Sequence, residues 1–144
     1  MIKPDYNHSR FYHWTEMNVR FRDIDALNHV NNAVFNTYFE EARIRFIYDI
    51  PEFIQSMEAG HSFVLVRIEV DYIRPIYLAE SLLIGSSVEE FGNTSIKGIQ
   101  AIYSSETKEL KAIARSVGVW FNLVAERPAR LPEINNKNHY LYKQ

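Results

Sequence analysis

The chain opens its regular structure with alternating apolar and polar positions. Over residues 11–22, Met17, Val19 and Phe21 point one way and Asn18, Arg20 and Arg22 the other, the period of a half-buried strand. The stretch from Asp23 to Asn32 is dense in Asp and Asn, which predicts a turn that hands over to a helix cap. Residues 30–48 contain neither Gly nor Pro, and Pro51 closes them, so they predict one long helix. Wound at about 100° per residue, Phe35, Phe39, Ala42 and Phe46 make one apolar stripe. Val30, Ala33, Val34 and Tyr38 make a second, which leaves only Asn36, Glu40 and Arg43 as a polar strip. A helix that is apolar round most of its circumference has to be wrapped by other structure. Residues 51–60 predict a short helix or turn stopped by Gly60.

From there the pattern is all strand. Val64, Val66, Ile68, Val70 and Tyr72 alternate with Leu65, Arg67, Glu69 and Asp71, and Arg74-Pro75 breaks the run. Residues 80–91, 94–104 and 109–123 predict three more strands, with hairpins at Gly92-Asn93 and at Ser104–Thr107. Ala112, Ala114, Ser116 and Gly118 share one face of the last strand, and small side chains in a row let another element come close. A 19-residue helix is about 28 Å long and a nine-residue strand about 30 Å, so one twisted antiparallel sheet can cover the helix. The expected class is α+β with a single wrapped helix. The outer sheet face keeps apolar residues, which predicts a partner subunit. Residues 1–132 are expected to form one domain and 133–144 a C-terminal tail, and the chain from Pro128, with two prolines and then Asn135-Asn136-Lys137-Asn138, is expected to be loosely attached.

Composition narrows the function classes. The chain has 144 residues, no cysteine and a net charge of −2. The absence of cysteine removes thiolate metal sites, disulfides and a cysteine nucleophile. The near-neutral balance speaks against nucleic acid bound through bulk charge. No apolar run approaches the ~20 residues that cross a bilayer, and MIKPDYNHSRFYHW has no apolar leader core. The expectation is a cytoplasmic protein with no membrane insertion. His8, His13, His29, His61 and His139 show no ligand spacing, so no metal is expected.

The chemistry-bearing stretch is Arg22-Asp23-Ile24-Asp25-Ala26-Leu27-Asn28-His29-Val30-Asn31-Asn32, at the entry to the long helix. A helix N-terminus offers unpaired N–H groups and about half a positive charge. Such donors polarise a carbonyl and hold the oxyanion formed on attack. A carboxylate opposite them acts as nucleophile or as a base on water. That is the apparatus of acyl transfer. Asp25 alternatively only shapes the turn, and one of Asn28, Asn31 and Asn32 is a cap. Glu41 and Arg45 have ion-pair spacing on the helix, and the sharper alternative puts Glu41 in the cleft beside Asp25.

These residues resemble a known family. Val19-Arg20-Phe21-Arg22-Asp23-Ile24-Asp25, Asn28-His29-Val30-Asn31-Asn32 and Tyr38-Phe39-Glu40-Glu41-Ala42-Arg43 look like the signature of hotdog-fold acyl thioesterases, in the 4-hydroxybenzoyl-CoA thioesterase-like branch. Val70–Ile76, Gly92–Ser95 and Arg130-Leu131-Pro132 resemble later parts of the family pattern. The resemblance implies a five-stranded antiparallel sheet around one long central helix, assembled as a homodimer or homotetramer with sites between subunits. It implies hydrolysis of acyl-CoA or related thioesters with no cofactor. By position it makes Asp25 the catalytic carboxylate and Asn32 the residue whose backbone N–H polarises the carbonyl, and it matches His29 to a functional histidine. Asn31, Tyr38 and Glu41 are the expected substrate-side residues. The competing expectations are a non-catalytic acyl-binding or assembly module, and an acyl-ACP thioesterase.

Overall fold

The computed structural model describes residues 5–144. The expectation about a leader segment falls in part on residues 1–4, which lie outside the described residues. Strand β1 (His13–Asn18) leads through a loop to helix α1 (Asn32–Tyr48), and helix α2 (Pro51–Glu58) follows. Then come β2 (His61–Tyr72), β3 (Ser81–Phe91), β4 (Ser95–Ser104) and β5 (Leu110–Asn122), and a two-residue β6 (Arg127–Pro128). All pairings are antiparallel, in the order β1-β3-β4-β5-β2, with β6 beside β5. The expected curled sheet around one long helix is what the chain builds.

The helix lies in the sheet as its apolar stripes require. Phe35, Tyr38, Phe39, Ala42 and Phe46 are buried. Around the first half of α1 they meet Leu82 and Ile84 of β3, Ile102 of β4, and Ala112 and Ala114 of β5. The small residues of β5 give the helix its close approach. Around the second half, Phe46 joins Ile50, Phe53 and Trp120 in a second cluster. Gln100 ties the layers together, its amide nitrogen donating to the Phe39 carbonyl and to Ser86 Oγ, both at 3.0 Å. Gly60, at φ 94°, takes the left-handed conformation that turns the chain from α2 into β2.

Three expectations need correction. The first strand was expected to run through Phe21, but it ends at Asn18, and the chain coils into one 3-10 turn over Phe21–Asp23. Phe21 is therefore 83% exposed instead of facing the core. The outer sheet face is not left bare. Ile99, Ala101, Tyr103 and Ile113 are covered by Phe11, with Tyr6, Trp14 and Tyr142 packed round them. Gly85 makes that cover possible, since a Cβ there would sit 2.5 Å from the Phe11 ring. The tail is not loose either. Ile134 and Tyr140 are buried in the second cluster, and Tyr142 N–H donates to the Val88 carbonyl at 2.8 Å.

Candidate active site

The loop between β1 and α1 is built on two aspartates with opposite fates. Asp23 is 2% exposed. Its carboxylate accepts from the Arg20 backbone N–H (3.1 Å), from Arg20 Nη2 (3.0 Å) and Nε (3.3 Å), and from the Tyr38 hydroxyl (2.7 Å). Burial alone pushes its carboxyl up, but the hydrogen bonds from Arg20 and Tyr38 outweigh it and hold the group below its ordinary 3.8. The same burial and the same carboxylate push the Tyr38 hydroxyl well above its ordinary 10.

From this anchor, residues 23–25 run antiparallel to 29–31. Asn31 N–H donates to the Asp23 carbonyl (2.9 Å), Ile24 bridges Val30, and Asp25 N–H donates to the His29 carbonyl (2.8 Å). The reversal between them needs a left-handed residue, and Asn28 supplies it at φ 65°. This pairs half-buried Asp25 with His29, three residues before α1 begins. Asp25 Oδ1 accepts from the backbone N–H of Leu27 (2.9 Å) and of His29 (3.4 Å). Among the described residues nothing donates to Oδ2.

The helix start is unevenly satisfied. Asn31 is the N-cap, and its side-chain oxygen accepts from Ala33 N–H at 2.9 Å. Val34 N–H donates to the Asn31 carbonyl at 2.8 Å. The N–H of Asn32, the first helical residue, has no acceptor among the described residues, while the Asn32 carbonyl is held by the Tyr72 hydroxyl at 3.2 Å. A free N–H at the positive end of a 17-residue helix can polarise a carbonyl, and Asp25, on the loop that enters that helix, keeps one carboxylate oxygen unengaged.

The other sequence-chosen residues fall in three positions. His29 is half-buried, its ring edge-on to Tyr77 with centroids 5.1 Å apart and its ring nitrogens free of partners among the described residues. Asn31 spends its side-chain carbonyl on the cap, and Tyr38 lies beneath the loop, bonded to Asp23. Glu41 pairs with Arg45 at 3.0 Å on the exposed side of α1. It stands about 14 Å along the helix from Asn32, so within one chain it is not beside Asp25. The Arg20–Asp23–Tyr38 clamp and the contacts of Tyr72 and Tyr77 escaped the sequence reading. One signal was present: a tyrosine on a buried helix face needs a partner for its hydroxyl. Among the described residues no three His, Asp or Glu side chains converge on a metal position.

A curled antiparallel sheet round one helix, with a carboxylate loop at the helix N-terminus, is the hotdog arrangement. The thioesterase-like superfamily model matches residues 19–136, and the chain belongs to that family. It is 32% identical over 81 residues to the long-chain acyl-CoA thioesterase FadM of Escherichia coli K12, a stretch covering 56% of this chain and 61% of that protein. The alignment thus spans less than two thirds of that relative's length. A thioesterase of Thermus thermophilus, solved with coenzyme A and Zn, is similar at 39% identity and a TM-score of 0.73, over 86% of this chain and 88% of its own. The probable thioesterase YbaW of Escherichia coli is similar at 27% identity and a TM-score of 0.78, over 90% and 98%.

Proposed function

We propose that this protein is a thioester hydrolase that cleaves acyl-CoA to the free acid and CoA, and that it works in the cytoplasm as a homodimer or homotetramer. The observation that carries the reading is a helix start whose Asn32 N–H has no acceptor among the described residues, entered by a loop on which Asp25 keeps Oδ2 unengaged. Family membership and the likeness to thioesterases support it. The thioester carbonyl accepts from Asn32 N–H, and the helix dipole strengthens that bond as charge builds on the oxygen. Asp25 Oδ2 then delivers the attack. Acting as a base, it takes a proton from water as the water oxygen bonds the carbonyl carbon. Acting as nucleophile, it forms a mixed anhydride as the C–S bond breaks and the thiolate leaves, and water then cleaves the anhydride to the free acid. In the base route the C–S bond breaks as the departing thiolate takes the proton that Asp25 drew from water. His29 orients water or the thioester from the Tyr77 side, and Asn31 fixes the Asn32 N–H by capping the helix.

Two copies complete the site. Strand β2 is an edge of the sheet, and Val64, Leu65 and Val66 on it are 41%, 42% and 57% exposed. A long apolar edge is a template for a second strand. The chain from α1 into α2 runs opposite to β2, because Asn32 of α1 meets Tyr72 near one end of the strand while Phe53 of α2 meets Phe63 near the other. Pairing β2 antiparallel with its copy therefore sets the Asn32 end of one protomer against the Phe63 end of its partner. There Glu41 reaches the substrate from the partner's helix.

The test is Asp25→Asn assayed by thiol release on acyl-CoA. The expected loss is about 10²–10⁴-fold in kcat with the fold intact. Wild-type rates in that variant would overturn the assignment. A single turnover in ¹⁸O-water tests the nucleophile route in which water attacks the Asp25 carboxyl carbon, since only that route gives a first product free of label.

A further inference from the structure

Between the second half of α1, α2 and the first half of β2 lies a cavity of about 430 Å³, a size that suits a small ligand. Its walls are apolar, with Ile44, Ile47, Phe53 and Phe63 prominent among them. Its floor is not. Glu40, Arg43, Gln100 and Ser116 line it as well; Gln100 and Ser116 are buried and Arg43 half-buried. Gln100 is 3% exposed and Ser116 8%.

Arg43 is the odd member. Its place on the polar strip of α1 predicts a solvated side chain, yet it is half-buried and turned to the sheet. Every other hydrogen bond of the floor is short, but Arg43 Nη1 reaches Gln100 Oε1 only at 3.5 Å. Among the described residues no carboxylate lies within ion-pair distance of it. Burial lowers its pKa although the nearby Glu40 charge partly offsets it. Guanidinium carries five N–H donors, and among the described residues only Nη1 has an acceptor. The Ser116 hydroxyl also has no partner among the described residues. A purely aliphatic tail would dry this floor and strand those donors, which is costly. An oxygen acceptor would satisfy them.

We propose that this cavity seats the acyl group of the substrate and selects one that ends in a hydrogen-bond-accepting oxygen, a carboxylate before a hydroxyl, with Arg43 as the specificity-determining residue. The inference rests on the reading of the active site as shared by two copies, because the floor lies about 16 Å along the helix from Asn32 of its own chain. The thioester held by one protomer sends its acyl group into the cavity of the other. The guanidinium closes on the distal carboxylate in a charge-assisted pair, the strongest hydrogen bond this floor can offer.

The experiment compares acyl-CoAs of equal length, six to ten carbons, ending in methyl, hydroxyl or carboxylate, on the wild type, Arg43→Met and Arg43→Lys. The expected result is a kcat/KM at least about tenfold higher for the carboxylate-ended chain than for its methyl-ended twin at one or more lengths. That ratio should collapse in Arg43→Met and recover in part in Arg43→Lys, while the methyl-ended rate holds or rises. Methyl-ended chains preferred at every length, or both chains losing equally in Arg43→Met, would overturn the inference and leave the hydrolase reading standing. If the wild type cleaves none of them, the hydrolase reading fails, and calorimetry with octanedioate against octanoate decides this one. Arg43-dependent preference for the diacid supports it, and equal or absent binding ends it. Circular dichroism of each variant checks that it folds.

Discussion

Asp23 and Asp25 stand two positions apart and look alike in sequence, yet the structure gives them different work. Asp23 is enclosed by four donors from Arg20 and Tyr38, whereas Asp25 keeps one oxygen open. The stability Asp23 contributes depends on pH in a definite direction. Its folded pKa lies below the ordinary 3.8, so the contribution is complete above that value and is lost as pH falls through the lowered pKa. Thermal melts across pH should therefore show Asp23→Asn and Tyr38→Phe less stable than wild type at neutrality, Tyr38→Phe by about 1.5–3 kcal/mol. The gap for Asp23→Asn should shrink below pH 4. A gap that stays constant down to pH 2 would show that the charge on Asp23 is not what holds the loop. The sequence alone marked this stretch as the candidate site. It did not show the partition of roles, because a strand register puts both carboxylates on one face, and only the 3-10 turn at Phe21–Asp23 separates them.

At the scale of elements, α1 was legible almost to its ends. The stripe Phe35, Phe39, Ala42, Phe46 is the buried one, and the cap fell among the asparagines as expected. Long-period patterns survive because burial enforces them over many turns. The end of β1 was not legible, since Val19-Arg20-Phe21-Arg22 alternates perfectly while tertiary bonds from Arg20 to Asp23 coil it. The tail misled for a different reason. Its prolines and asparagines look like coil, but coil can still deliver Ile134 and Tyr140 into a core. Both the cap and the tail can be tested by stability. Asn31→Ala should cost about 1 kcal/mol in urea denaturation and should also lower kcat, because the same cap fixes the Asn32 N–H. Removal of residues 133–144 should cost on the order of 3 kcal/mol or more, given the area of two large side chains returned to water. A truncated chain of unchanged stability would mean that the tail only rests on the surface.

For the whole molecule, the reason to expect a partner subunit has moved. The outer sheet face that prompted it is covered by the chain's own ends, through Phe11, Trp14 and Tyr142. The sheet ends in two edges, β1 and β2, and on β2 three apolar side chains around the bulge at Val66 are turned toward solvent. An exposed apolar strand edge of this length is either protected by charge or occupied by another strand. Here Arg67 and Glu69 pair with each other across one position, so they neutralise themselves and do not guard the edge. A symmetric antiparallel pairing of β2 with its copy satisfies the free backbone groups and buries the valines in one step. In the proposed dimer it would also set each carboxylate loop toward the other protomer's cavity, and assembly and catalysis would then be a single property. Val64→Lys combined with Val66→Lys puts four like charges across a two-fold edge and removes nothing from the core of one protomer. Light scattering should find this variant at half the wild-type mass or less, with its strand and helix signals retained. Its kcat/KM on acyl-CoA should fall by at least about tenfold, the loss expected when an enclosing pocket is withdrawn from a positioned substrate. A monomer that hydrolyses at the wild-type rate would separate the two properties and place the acyl group within a single chain.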